Sequence, residues 1–168
     1  PISVAVGDFN GDSKPDFAVT SNKDGKVSVR LGDGAGGFSW TTNLTVGKNP
    51  RQIAVGDFNS DNKLDLAVAN WGSKNVSVLL GNGLGGFSGA TNFGVGTNPR
   101  QVAVADFNSD SHSDIVVSNW SSNTVSVLLG NGLGNFSTAT NFTVGTTPGS
   151  VAVGDFNADS QIDIAVAN

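Results

Sequence analysis

The chain has no cysteine, no methionine, no tyrosine and no glutamate in 168 residues. The missing cysteine excludes disulfides and leaves the compartment open. With a single histidine besides, the usual stock of acids, bases and nucleophiles is nearly empty. A protein that is not an enzyme is therefore expected. Strong helix formers are scarce. No apolar run reaches the roughly 18 residues that a membrane-spanning helix needs. The nine Lys and Arg form no cluster, which gives nucleic-acid binding little support. No targeting segment is recognisable, and the start at Pro1 leads us to expect a mature or excised piece.

What is present is mostly Val, Ser, Thr, Asn and 23 Gly, the composition of short strands joined by tight turns. It is also a repeat. "VAVGDFNGDSKPDFAV" begins at Val4, "IAVGDFNSDNKLDLAV" at Ile53, "VAVADFNSDSHSDIVV" at Val102 and "VAVGDFNADSQIDIAV" at Val151. The period is 49 residues, and Pro1, Pro50, Pro99 and Pro148 keep its register. Internal periodicity of this length signals stacked supersecondary units. The expected division is three blades, 1–49, 50–98 and 99–147, and a half-blade, 148–168.

Each unit divides in the same way. In the second, "QIAVGD" alternates as a first strand and "LDLAVAN" is the second. "VSVLLG" is the third, "NGLGG" carries hairpin turn signals, and "FSGATNFGVG" is the fourth. Four short antiparallel strands per repeat of about 50 residues predict an all-β fold, a β-propeller with about 3.5 blades in this chain. The "DFNxD…D" segment, followed by "LAVAN", "VSVLLGNG" and "GGFS", resembles the FG-GAP/VCBS repeat. That is the calcium-binding blade of integrin α-chain propellers and of many bacterial secreted proteins. The resemblance spans the whole chain. It implies an extracellular, calcium-stabilised propeller.

The charge fits that expectation. The formal net charge is −5, and 12 of the 14 Asp lie in four nine-residue loops. Calcium is a hard ion that takes six to eight oxygens. Such a loop can offer side chains at positions 1, 3, 5 and 9 and a carbonyl at position 7. The first set is Asp8, Asn10, Asp12, the Lys14 carbonyl and Asp16; the second is Asp57, Asn59, Asp61, the Lys63 carbonyl and Asp65. The third is Asp106, Asn108, Asp110, the His112 carbonyl and Asp114; the fourth is Asp155, Asn157, Asp159, the Gln161 carbonyl and Asp163. Up to four Ca²⁺ per chain are expected. The loop resembles the start of an EF-hand, but position 12 is Val and a strand follows. The competing reading is Asx-turn chemistry, in which the same side chains bond only their own backbone.

The opposite loops hold Asn70 with Trp71 and Asn119 with Trp120, near Arg51, Gln52, Arg100 and Gln101. An aromatic plate, an amide and a guanidinium could bind a sugar; equally, each Trp could pack against the next blade. Trp40 is expected on a surface or interface. "GNGLGG" lacks the helix and the Lys-Ser/Thr pair of a phosphate loop. Sequons occur at Asn43, Asn75, Asn119, Asn135 and Asn141, as such a composition produces by coincidence.

The expected function is an extracellular recognition or adhesion module binding carbohydrate or protein. The alternatives are a self-assembling structural repeat, as ring or filament, and a part of a polysaccharide lyase or hydrolase. A homo-oligomer or a longer repeat chain would supply the missing blades.

Overall fold

In the computed structural model the backbone is described for residues 1–168 and the side chains for all but Trp40 and Thr41. The expectation for Trp40 therefore falls outside the described side chains. The first sheet holds β1 (Val4–Gly7), β2 (Asp16–Ser21), β3 (Lys26–Gly32) and β4 (Phe38–Thr45). The second holds β5 (Pro50–Gly56), β6 (Asp65–Asn70), β7 (Asn75–Leu79) and β8 (Thr91–Gly94). The third holds β9 (Pro99–Ala105), β10 (Asp114–Asn119), β11 (Thr124–Leu128) and β12 (Thr140–Thr143). A two-stranded sheet, β13 (Ser150–Gly154) and β14 (Asp163–Ala167), ends the chain.

Every neighbouring pair is antiparallel and follows chain order, as a blade requires. The first strands sit side by side: β1 against β5, β5 against β9, β9 against β13. The fold is thus a β-propeller of four-stranded blades, and its sheets do not close into a ring.

The cores lie between blades. Phe9, Ile53, Leu66, Val68 and Leu79 join the first sheet to the second. Phe58, Val102, Ile115 and Leu128 join the second to the third. All six residues of β6 and of β10 are buried, whereas β2 alternates. A strand covered on both faces needs an apolar middle, which "LAVA" and "IVV" supply, and partners for its buried polar ends, Asp65 and Asn70 or Asp114 and Asn119.

The fourth strand departs from the sequence reading. A continuous "FSGATNFGVG" strand is expected, but β8 covers only Thr91–Gly94, and Phe87 forms an isolated bridge to Gly81. Between them Ser88 takes over the ladder: its Oγ accepts the Leu80 N–H at 2.9 Å and donates to the Gly89 carbonyl at 3.0 Å. A hydroxyl that bonds backbone in this way interrupts a ladder. In the first blade β4 extends through eight residues, and its ladder to β3 shifts register between Val29 and Arg30.

Candidate functional site

The Asp-rich loops join the first and second strands of each blade. Each turns through two left-handed residues, at positions 4 and 6. These are Gly11 and Ser13, Ser60 and Asn62, Ser109 and Ser111, and Ala158 and Ser160, with φ between 57° and 75°. Seven of the eight are not glycine, so the conformation is held against a local steric cost.

The hydrogen bonds supply the hold. Asp8 Oδ1 accepts the N–H groups of Gly11 at 2.7 Å and of Asp12 at 3.2 Å, and Oδ2 accepts that of Ser13 at 2.7 Å. Asn10 Oδ1 accepts from Asp12 N at 3.1 Å, and Asp12 Oδ1 from Lys14 N at 3.0 Å. Asp57, Asp106 and Asp155 grip the position-6 N–H in the same way, at 2.8, 2.8 and 2.9 Å. The Asx chemistry is therefore present in every loop. Among the described residues, no group of three or more acidic or histidine side chains converges closely enough to hold a metal ion.

Position 9 does something the sequence reading did not assign. Asp65 is fully buried; its Oδ2 accepts the Phe58 N–H at 2.8 Å and its Oδ1 the Gly81 N–H at 2.7 Å. Asp16 and Asp114 make the same pair of bonds, to Phe9 and Gly32 and to Phe107 and Gly130. This carboxylate ties the loop to the end of the third strand. The glycine is required there: a Cβ on Gly81 would run into the Leu64 carbonyl oxygen. Its signal was the Gly recurring at 32, 81 and 130, which reads more readily as turn chemistry.

The electrostatics split accordingly. Donation from the backbone N–H groups of Lys14, His112 and Ser160 holds Asp12, Asp110 and Asp155, respectively, below the usual carboxylate range. Burial pushes Asp65 and Asp114 up, against two backbone hydrogen bonds, and neighbouring carboxylates add to it. Lys14 pairs with Asp12 at 3.3 Å and Lys63 with Asp61 at 3.2 Å, both exposed enough to add little stability. His112 Nδ1 lies 3.4 Å from Ser60 Oγ, and Gln161 Oε1 accepts from Ser109 Oγ at 3.0 Å. These position-7 side chains link neighbouring loops.

The loops connecting second to third strands share the opposite face with the connections between blades. Trp71 N donates to the Asn49 carbonyl and Trp120 N to the Asn98 carbonyl, both at 3.1 Å. The guanidinium of Arg51 lies 4.7 Å from the centre of the Trp71 ring, and that of Arg100 lies 4.5 Å from the Trp120 ring. The two rings are 6.4 Å apart and tilted by 44°. A cation thus occupies a face of each aromatic plate.

The amides are placed differently from the sequence expectation of a rim. Asn70 and Asn119 are fully buried, with Nδ2 bonded to Ser77 and to Ser126 at 2.8 Å. They lie inside the blades because a serine in "VSV" offers a buried acceptor. The Asn119 sequon is therefore closed to modification in the folded chain. Gln52 Oε1 accepts the Val102 N–H at 2.6 Å, and Gln101 Nε2 donates to the Val151 carbonyl at 3.1 Å. Both glutamines sew one first strand to the next. Gln52, Gln101, Arg51, Arg100, Ile2 and Gly149 line a cavity of about 290 Å³ at the inner rim.

The FG-GAP-like repeat matches residues 8–68, 57–117 and 106–166. The chain belongs to that family. No curated protein matches it. Among solved structures, BBS1N in complex with ARL6DN is 19% identical, with TM-score 0.67, over 98% of this chain and 49% of that one. The periplasmic gluconolactonase PpgL of Pseudomonas aeruginosa is 19% identical, with TM-score 0.62, over 90% and 39%. An Agrocybe aegerita lectin that recognises non-reducing terminal N-acetylglucosamine is 21% identical, with TM-score 0.56, over 98% and 42%. At these identities the likeness shows the fold alone. The chain spans half or less of the length of the first of its solved relatives.

Proposed function

We propose that the chain is a calcium-stabilised, non-enzymatic recognition module that binds carbohydrate or protein outside the cell. The observation that carries this reading is one donor set repeated four times: three carboxylates and one amide oxygen in each Asp-rich loop. The set is all hard oxygen, as calcium prefers. The carboxylates crowd like charge into loops that already hold two left-handed residues each. A bound divalent cation would supply the compensating charge. Asp8, Asn10, Asp12, the Lys14 carbonyl and Asp16 would hold it in the first loop, and their counterparts in the others. Position 9 would serve both the ion and the third strand, since each carboxylate oxygen has two acceptor sites.

The recognition half of the reading draws support from the family and from fold relatives of two kinds, a lectin and a protein found in a complex. The extracellular setting draws on calcium being plentiful there. The test is a glycan array probed in calcium and again in chelator. Calcium-dependent binding to a defined class of sugar supports the reading; no binding in either condition turns it toward protein contact.

Self-assembly is a second reading, favoured by the exposed ends. Ile2, Val4 and Val6 are 50%, 59% and 64% exposed at one end, and Phe142 and Phe156 are 51% and 60% exposed at the other. Apolar surface of this kind marks an interaction site. A second copy or further blades of a longer chain would cover it. A monomeric mass in calcium speaks against assembly of this chain alone.

A further inference from the structure

We propose that the inner-rim cavity binds a carboxylate, specifically that of an acidic saccharide. The inference deepens the recognition reading and rests on it. Arg51 and Arg100 both line this cavity of about 290 Å³. Neither makes an ion pair or a side-chain hydrogen bond among the described residues, where the two ion pairs belong to Lys14 and Lys63. Arg51 Nε is buried without a partner. A buried donor left unpaired is costly, and a guanidinium carries five donors with which to recruit a partner.

The stacking decides which ligand fits. Trp71 and Trp120 each cover a face of a guanidinium, at 4.7 and 4.5 Å. A guanidinium placed over a ring is held there by its charge and keeps its N–H edge for another partner. That edge matches a planar carboxylate through two parallel bonds. The Trp faces so used are closed to stacking by a neutral sugar, which shifts recognition from ring face to charge.

The remaining walls point to a saccharide. Ile2 contributes an apolar side, and Gln52 and Gln101 contribute polar ones. At Gly149 no side chain fills the space beside Arg100 and Trp120, whose nearest atoms lie 3.4 and 3.6 Å from where a Cβ would stand. A sugar ring has one apolar face and a polar edge, and a cavity near 300 Å³ is at the small end of ligand sites. The Asp-rich loops lie on the opposite face, so their negative charge is not at the mouth.

The test compares two trisaccharides that are identical except that one bears a glucuronate and the other has that carboxylate reduced to the alcohol. Titration calorimetry on the full chain in calcium should show saturable binding of the glucuronate form alone, weakened by added salt. R51Q and R100Q should each weaken it by about tenfold or more. R100K keeps the charge and loses the fork, so it too should weaken binding. K26Q makes the same charge change at a residue that does not line the cavity and should leave affinity unchanged. Unaltered thermal melts would confirm that the variants fold. Equal binding of both trisaccharides, binding of neither, or arginine variants that bind normally would overturn the proposal. So would an oligo-aspartate peptide or acetate that binds as well as the glucuronate form. If neutral glycans bind on the array and ignore both arginine variants, the recognition reading stands and this one falls. If chelator leaves the fold unchanged, the calcium reading falls while the cavity test keeps its meaning.

Discussion

The second blade and the final half-blade carry nearly the same sequence in opposite surroundings. "VGDFNSDNKLDLAVAN" folds with Phe58 1% exposed and β6 buried throughout. "VGDFNADSQIDIAVAN" folds with Phe156 60% exposed and β14 covered on one face only, where Ile164 and Val166 pack on the third blade. The residues are matched, so the difference belongs to the neighbours. Phe58 meets the edge of Phe136 from the next blade at 5.5 Å, and its carbonyl accepts the Gly134 N–H at 2.8 Å. Phe9 makes the same joint with Phe87 and Gly85, at 5.6 and 2.8 Å. A repeat protein is held as much by such joints as by the units themselves.

Equivalent substitutions in the two places should therefore differ. The largest gap is expected for the ring. Phe58→Ala should cost about 3–5 kcal/mol in chemical denaturation, while Phe156→Ala should stay within about 0.5 kcal/mol. Similar losses at both sites would dissolve the contrast between joint and end. Next comes the position-9 carboxylate. Asp65→Ala strands two buried N–H groups, at about 1–3 kcal/mol each. Asp163→Ala strands only the exposed Phe156 N–H, bonded at 3.1 Å, and should cost under about 1 kcal/mol. Measuring both in chelator separates this tie from any metal.

Smaller still is the stitch between first strands. Gln52→Ala removes the acceptor of the Val102 N–H and should cost about 1 kcal/mol. Hydrogen exchange should speed at Val102 and not at Ala5, which has no such stitch. The smallest effect expected is on pH. Asp65 and Asp114 have pKa values raised in the fold, so their charged forms oppose folding at neutral pH. In chelator, stability should rise as pH falls through those raised values toward the ordinary 3.8. Asp12, Asp110 and Asp155 are lowered, and their stabilisation is lost only as pH falls below that range. A melt that falls steadily from pH 7 to 5 would contradict the assignment of Asp65 and Asp114.

Much of the fold was legible because period and alternation are local properties. The repeat Pro, the "VAV" strands and the "NG" hairpins each announce themselves within a few residues. The roles that escaped depend on partners far along the chain. Asn70 reads as a rim residue beside Trp71, yet Ser77 draws its amide into the blade. Asp65 reads as a candidate ligand, and its tie to Gly81, sixteen residues on, leaves no local mark. Gln52 reads as a ligand contact, yet its partner is fifty residues away. The Arg–Trp stacks were visible as residue types and not as pairs, because only the packed blades bring Arg51 over Trp71.

As cation sites, the Asp-rich loops would hold the blades through bound calcium. The most direct test is a calcium titration of chelated protein, followed by calorimetry and thermal melting together. Saturable binding approaching one ion per loop is expected, with a melting temperature that rises sharply with calcium. No binding heat, with the same melt in calcium and in chelator, would contradict it and leave the loops as Asx turns alone.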